Sequence, residues 1–189
     1  VPLAWASRLL GRPLRARVAG ADLLPALCRM AARAGHTVFF LGGRPGVAPR
    51  AAAALTASFP GLRVVGTHTP PAGFRADSPA AAEAEAAVRA ARPDLLFVGL
   101  GSPTQELWVH RHWDRLGCTV AVCCGAAIDY AAGVKPRAPL WMQRAGLEWL
   151  WRLAHEPRRL WRRYLVDDVA FVGIVLREWW RLRVRKAER

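Results

Sequence analysis

Three segments of this 189-residue chain combine glycine with polar side chains in a way that suits a phosphorylated ligand. They are Gly42-Gly43-Arg44-Pro45-Gly46, the run from Gly99 through Gly101 and Pro103 to Gln105 and Glu106, and the run from Gly125 to Asp129 and Tyr130. Glycine lets a ligand approach the backbone, and a helix that starts just beyond it offers free N–H groups to a phosphate. Gln105 carries both a donor and an acceptor, which suits a sugar hydroxyl or a phosphate oxygen. Glu106, in the first turn of the same predicted helix, complements the helix dipole, and both residues also read as caps. Asp129 offers a carboxylate to a nucleoside N–H or hydroxyl. None of the three segments is a GxGxxG fingerprint or a Walker A loop, which counts against NAD enzymes and ATPases. Gly42, Gly99, Gly101, Gly125, Gln105 and Asp129 together point to a site for a nucleotide diphosphate. No cofactor is implied, and the absence of any Asp-x-Asp pair implies no metal. His110 and His112 lie two apart on a predicted helix, point to different sides and read as surface residues. His36, His68 and His155 are isolated.

The elements that would position these residues alternate between strand and helix. HTVFFLGG, LRVVG, Asp94–Leu100 and Cys118–Cys124 are short apolar runs, and Ala-rich or amphipathic stretches over 47–59, 79–91 and 104–116 separate them. Apolar runs without strict alternation, spaced by helices, predict a parallel sheet covered on both faces. Right-handed crossovers then give an α/β, Rossmann-like parallel sheet flanked by helices. In such a sheet ligands sit at the carboxyl ends of the strands, where the three glycine segments fall. GAAIDYAAGVKPRAP reads as a loop, and the remainder as two or three helices broken near Pro157. The expected organisation is a body over 1–135 and a basic helical C-terminal appendage over 136–189.

Charge sharpens that boundary. The chain carries a net +14, and 13 Lys/Arg against 6 Asp/Glu give residues 137–189 half of it. Six of the nine tryptophans are there as well: Trp141, Trp149, Trp151, Trp161, Trp179 and Trp180. Basic residues interleaved with Trp suit an anionic membrane surface, and equally a nucleic acid. No run reaches the roughly 20 apolar residues of a spanning helix, so any membrane contact is expected to be peripheral. Cys28, Cys118, Cys123 and Cys124 form no CxxC pair, and CTVAVCC reads as a buried strand with reduced thiols in a cytosolic compartment.

Longer segments carry a resemblance. RVAGADLL, FFLGGRPGVA, GLGSPTQELW, GAAIDYAAGVKPRAPLWMQRAGLEWLWRL and HEPRRLWRRY together resemble the WecG/TagA/CpsF family of bacterial glycosyltransferases, over essentially the whole chain down to Tyr164. The stretch RAP-x-W-x-Q-x-x-GLEW-x-x-RL-x-x-EPRR is long and unusual, which makes the resemblance specific. It implies a metal-independent inverting transferase. The donor would be a UDP-sugar, often UDP-N-acetylmannosamine, and the acceptor an undecaprenyl-diphosphate-linked N-acetylglucosamine in teichoic acid or polysaccharide synthesis. It places Gln105 in the active site, Asp129 on the nucleotide side and Arg17 near the donor sugar. Arg152, Arg159 and Arg162 would reach donor or acceptor phosphates. The appendage would rest on the inner face of the cytoplasmic membrane and close over the site. A homo-oligomer stays open, and no nucleic acid partner is implied.

The resemblance departs at one place. The family's T-x-N element and Asp-Gly dipeptide precede the segment that begins here at Val1, and the aspartate of that dipeptide is its candidate general base. Neither element is in this sequence. The expectation is therefore a fragment of a longer enzyme. The alternatives are an inactive truncated copy and, from another class, a basic nucleic-acid-binding protein.

Overall fold

The computed structural model describes residues 2–15, 18–162 and 168–187. In chain order the elements are α1 (Pro2–Leu9), α2 (Gly20–Ala34), β1 (Thr37–Gly42), α3 (Val47–Ser58), β2 (Arg63–His68), α4 (Pro79–Ala91), β3 (Leu95–Gly99), α5 (Thr104–Leu116) and β4 (Val120–Cys123). They continue with α6 (Ala127–Ala131), α7 (Leu140–Ala145), α8 (Glu148–His155), α9 (Pro157–Arg162) and α10 (Asp168–Ala187). The chain divides into two compact units, one over Val18–Pro136 and the other over Val1–Arg17 with Arg137–Arg189.

In the first unit, four parallel strands lie in the order β2-β1-β3-β4. Successive side chains of a strand face opposite ways, so the two central strands serve two cores at once. Val38, Phe40, Leu95 and Phe97 face α2, α3 and α6, and the Phe40 and Phe97 rings stack at 5.5 Å. Phe39, Leu41, Leu96 and Val98 face α4 and α5. This is why both runs read as continuously apolar. Each large side chain so enclosed contributes about 1.5–3 kcal/mol of burial.

The path from β1 to β2 moves outward in one direction, and the path through β3 to β4 moves outward in the other. Helices α3 and α5 therefore leave β1 and β3 toward opposite faces, opening a crevice between the carboxyl ends of these two neighbours. The amino ends are closed. Asp94 accepts from the Thr37 N–H at 2.7 Å and from its hydroxyl at 2.8 Å, and the Asp94 N–H donates back to that hydroxyl at 2.9 Å.

Three sequence expectations change here. The Cys118–Cys124 run is not an enclosed strand: β4 is the sheet's last strand, with Val120 46% exposed and Cys123 exposed. Its composition is that of an interior strand, but the strand order gives it one neighbour. The stretch after Gly125 is not all loop, because Ala127–Ala131 forms the short helix α6, pinned by Ile128 in the core at 1% exposure. His112 is not a surface residue. Gln105, Trp108, His112 and Leu116 recur at helical spacing and are the buried face of α5. The His112 Nδ1 lies 2.5 Å from Glu85 Oε2 on α4, and Arg115 Nη2 lies 3.1 Å from the same oxygen. The His112 hydrogen bond holds the Glu85 carboxyl below the usual carboxylate range.

In the second unit, α7 to α10 give four helices among the described residues where two or three were expected, and Pro157 opens α9 at the predicted break. Proline suits that first position because its missing N–H would be unpaired there anyway. Along α10, Val172, Leu176 and Trp180 are spaced at i, i+4 and i+8, and each is more than half exposed. The Arg183 guanidinium lies 4.3 Å over the Trp179 ring.

Candidate active site at the carboxyl edge of the sheet

The crevice is built on glycine. Gly42 ends β1 and pairs in register with Gly99, which ends β3. The Gly43 N–H donates to the Gly99 carbonyl at 3.2 Å. Gly42 has φ +115°, and a Cβ on it would stand 2.5 Å from the Gly99 oxygen. A Cβ on Gly99 would stand 2.8 Å from the Gly125 oxygen and 2.9 Å from the Ile128 side chain. The turns after β1, β3 and β4 are thus in contact through backbone, which no larger residue permits. At Gly101 and Gly125 the space where a Cβ would lie is open to 4 Å, so backbone is accessible there.

Gln105 is 5% exposed in the first turn of α5. Its Oε1 accepts the Gly125 N–H at 3.2 Å, and its Nε2 donates to Glu106 Oε1 at 2.7 Å. The side chain therefore ties the turn after β3 to the turn after β4. Asp129 sits in α6, directly beyond Gly125. Its carbonyl accepts from the Val134 and Lys135 N–H groups, which folds residues 129–135 back on themselves. That turn brings Lys135 Nζ to 3.2 Å from Asp129 Oδ2. A ligand at Asp129 would meet a carboxylate and an ammonium side by side. The sequence held no signal for this pair, because a separation of six positions is not helical spacing and neither residue lies in a strand.

Gly42, Gly99, Gly101, Gly125, Gln105 and Asp129 are therefore gathered on one edge of one unit. The arginines are not described with them. Arg17 lies outside the described residues. Arg152 belongs to α8 in the second unit, where its Nε is 3.7 Å from Glu148 Oε1 one turn earlier. Arg159 and Arg162 are in α9, and their side chains lie outside the described residues.

Burial shapes the thiols around this edge. It pushes the Cys28 and Cys124 thiols up to about 12, and the Cys123 thiol up to about 11. They are poor nucleophiles and poor ligands as a result. Among the described residues no group of three or more His, Cys, Asp or Glu could hold a metal ion. Beside the edge, Arg75, Ala76, Asp77, Thr104, Leu107 and Arg111 line an open cavity of about 240 Å³. Its charges meet within it, since Arg75 Nε and Arg111 Nη1 approach Asp77 at 3.1 and 3.9 Å.

Known proteins are similar to this chain in sequence. An N-acetylglucosaminyldiphosphoundecaprenol N-acetyl-beta-D-mannosaminyltransferase of Bacillus spizizenii is 35% identical over 159 residues, 84% of this chain and 59% of that protein. The Staphylococcus aureus (strain MW2) protein of the same name is 30% identical over 160 residues, 83% of this chain and 59% of its own length. The chain thus spans under two thirds of these relatives. The model of the glycosyl transferase WecG/TagA/CpsF family matches residues 1–185. With that match nearly end to end, this chain belongs to the WecG/TagA/CpsF family of glycosyl transferases.

Proposed function

We propose that this protein takes part in transferring a sugar of the N-acetylmannosamine class from a UDP donor to an undecaprenyl-diphosphate-linked N-acetylglucosamine, with inversion at the sugar carbon. The observation that carries the reading is the in-register contact of Gly42 and Gly99 at the point where the strand order reverses. Beside that contact, the surface left open at Gly101 and Gly125 lets a diphosphate approach the backbone. Asp129 takes the nucleoside side, and Gln105 fixes the two turns that flank the ligand. Arg17, Arg152, Arg159 and Arg162 supply positive charge to the donor or acceptor phosphates.

In the reaction the acceptor hydroxyl oxygen attacks the sugar carbon in line. The bond from that carbon to the UDP oxygen breaks, UDP leaves with the electron pair, and the hydroxyl proton passes to a base. Positive charge near the leaving diphosphate stabilises the transition state. The carboxylate base that the family supplies from its Asp-Gly dipeptide is not among residues 1–189. This chain's residues bind and position.

The membrane belongs to the same reading. No helix among the described residues is long and apolar enough to cross a bilayer. The exposed Val172, Leu176 and Trp180 of α10, with Arg177, Arg181 and Arg183 among them, suit a peripheral seat on the anionic inner face of the cell membrane. A lipid-linked acceptor requires the site to come to that surface.

Calorimetry with UDP in EDTA tests the donor site. Binding that is saturable in EDTA and unchanged by added Mn²⁺ is expected. Binding that appears only with the metal would overturn the metal-free reading, and no binding under either condition would overturn the donor site itself.

A further inference from the structure

Resting on that donor reading, we infer that Glu106 is the ligand-facing side chain of the turn after β3, and that Gln105 is a positioning residue behind it. The geometry divides the two roles. Gln105 is 5% exposed, and both ends of its amide are engaged within the protein, at Gly125 N–H and at Glu106 Oε1. A buried amide needs those bonds, and releasing one to greet a ligand would leave the Gly125 N–H or the amide itself unsatisfied. Glu106 is the reverse case. It is exposed, it stands in the first turn of α5 at the carboxyl edge, and the Gln105 N–H holds one of its oxygens. An ionised carboxylate accepts through both oxygens, so the second is available and its direction is fixed by the first.

No Lys, Arg or His pairs with Glu106 among the described residues, although the chain carries 28 Lys and Arg against 14 Asp and Glu. Its neighbours on the unit behave differently: Asp77 meets Arg75, Glu85 meets His112 and Arg115, and Asp129 meets Lys135. An oriented carboxylate without a cation, on the edge where ligand binds, is suited to a neutral donor group. It repels a diphosphate. Glu106 therefore takes a hydroxyl or amide N–H of the sugar nucleotide, either from the ribose or from the transferred sugar, while the glycine turns take the phosphates. In the free protein the Gln105 side-chain N–H already holds one Glu106 oxygen in place.

The test uses the 189-residue chain, with dissociation constants for UDP and for UDP-N-acetylmannosamine measured by calorimetry and Gly125 amide exchange followed by NMR. Glu106→Gln keeps the size and loses the charge. It should weaken UDP-N-acetylmannosamine by about tenfold, the effect of removing one charge-assisted hydrogen bond. An equal loss for UDP assigns the contact to the ribose, and an unchanged UDP assigns it to the transferred sugar. Unchanged affinity for both ligands overturns the role of Glu106.

Gln105→Glu separates positioning from mere structure. It keeps an acceptor for the Gly125 N–H but removes the donor that orients Glu106 and sets two carboxylates together. Gly125 should stay protected while ligand affinity falls as in Glu106→Gln. Gln105→Ala should lose both, with Gly125 exchange faster by about tenfold. Full affinity in Gln105→Glu, or unaltered Gly125 exchange in Gln105→Ala, overturns the positioning role. If the parent chain binds neither nucleotide, the donor reading fails and the ligand contact of Glu106 fails with it. The exchange measurement still reports whether Gln105 staples the two turns.

Discussion

At the scale of single residues, the site is defined more by what is missing than by what projects. Gly42 cannot carry a side chain, because its φ of +115° and the 2.5 Å approach to the Gly99 oxygen both forbid one. Gly42→Ala should lower stability by about 3 kcal/mol in urea unfolding, and Gly99→Ala should cost about as much. A loss below about 1 kcal/mol for either would mean that the two turns are not in contact. Asp129→Asn leaves the volume and removes the charge next to Lys135. It should weaken UDP about tenfold with little change in melting temperature; a drop in melting temperature with full affinity would make the pair structural. The thiols give a residue-scale check on packing. With Cys28 and Cys124 pushed up to about 12 by burial, iodoacetamide at pH 8 should leave these two unmodified in the native chain and modify them in urea. Rapid native labelling of Cys28 would mean that α2 does not seal the core.

At the scale of elements, much was legible because burial writes itself into periodicity. The strands at 37–42 and 95–99 and the helices at 79–91 and 104–116 sit where apolar runs and alanine-rich stretches put them, bounded by Gly and Pro. What escaped was pairing across elements. His112 looked exposed because a histidine two residues from another histidine suggests opposite sides, yet the spacing of Gln105, Trp108, His112 and Leu116 already marked one buried face. Helix α6 escaped because five residues between glycines carry too little pattern, and Lys135 found Asp129 through a backbone turn that no spacing rule encodes. The α4–α5 contact yields an element-scale prediction. Because its partner His112 lowers the folded Glu85 pKa below the unfolded value near 4.5, this group's stabilisation is complete above that value and is lost as pH falls through the folded one. Glu85→Gln should cost about 2–3 kcal/mol at pH 7 and flatten the acid limb of the stability curve. A curve of unchanged shape would mean that the pair is not formed.

At the scale of the whole molecule, the net charge of +14 and the exposed apolar residues of α10 make the membrane reading testable. Vesicles with anionic lipid should bind the chain, lose part of it at high salt, and lose nearly all of it when residues 136–189 are removed, because charge is screened and inserted Trp and Leu are not. Equal binding to neutral vesicles would sink the electrostatic part. Among the described residues β4 has a strand on one side only, which bears on the molecule in solution. Unpaired backbone along an apolar strand is a template for a second strand, and the usual safeguards, an edge lysine or proline, are absent from Val120-Ala121-Val122-Cys123. The net charge of +14 opposes the approach of two such edges. Salt and polyanions weaken that opposition. A dilute, low-salt solution should therefore scatter little light, and turbidity should grow with added salt at fixed protein concentration. Val120→Lys should delay that growth, and unchanged turbidity would mean that this strand is not the point of contact.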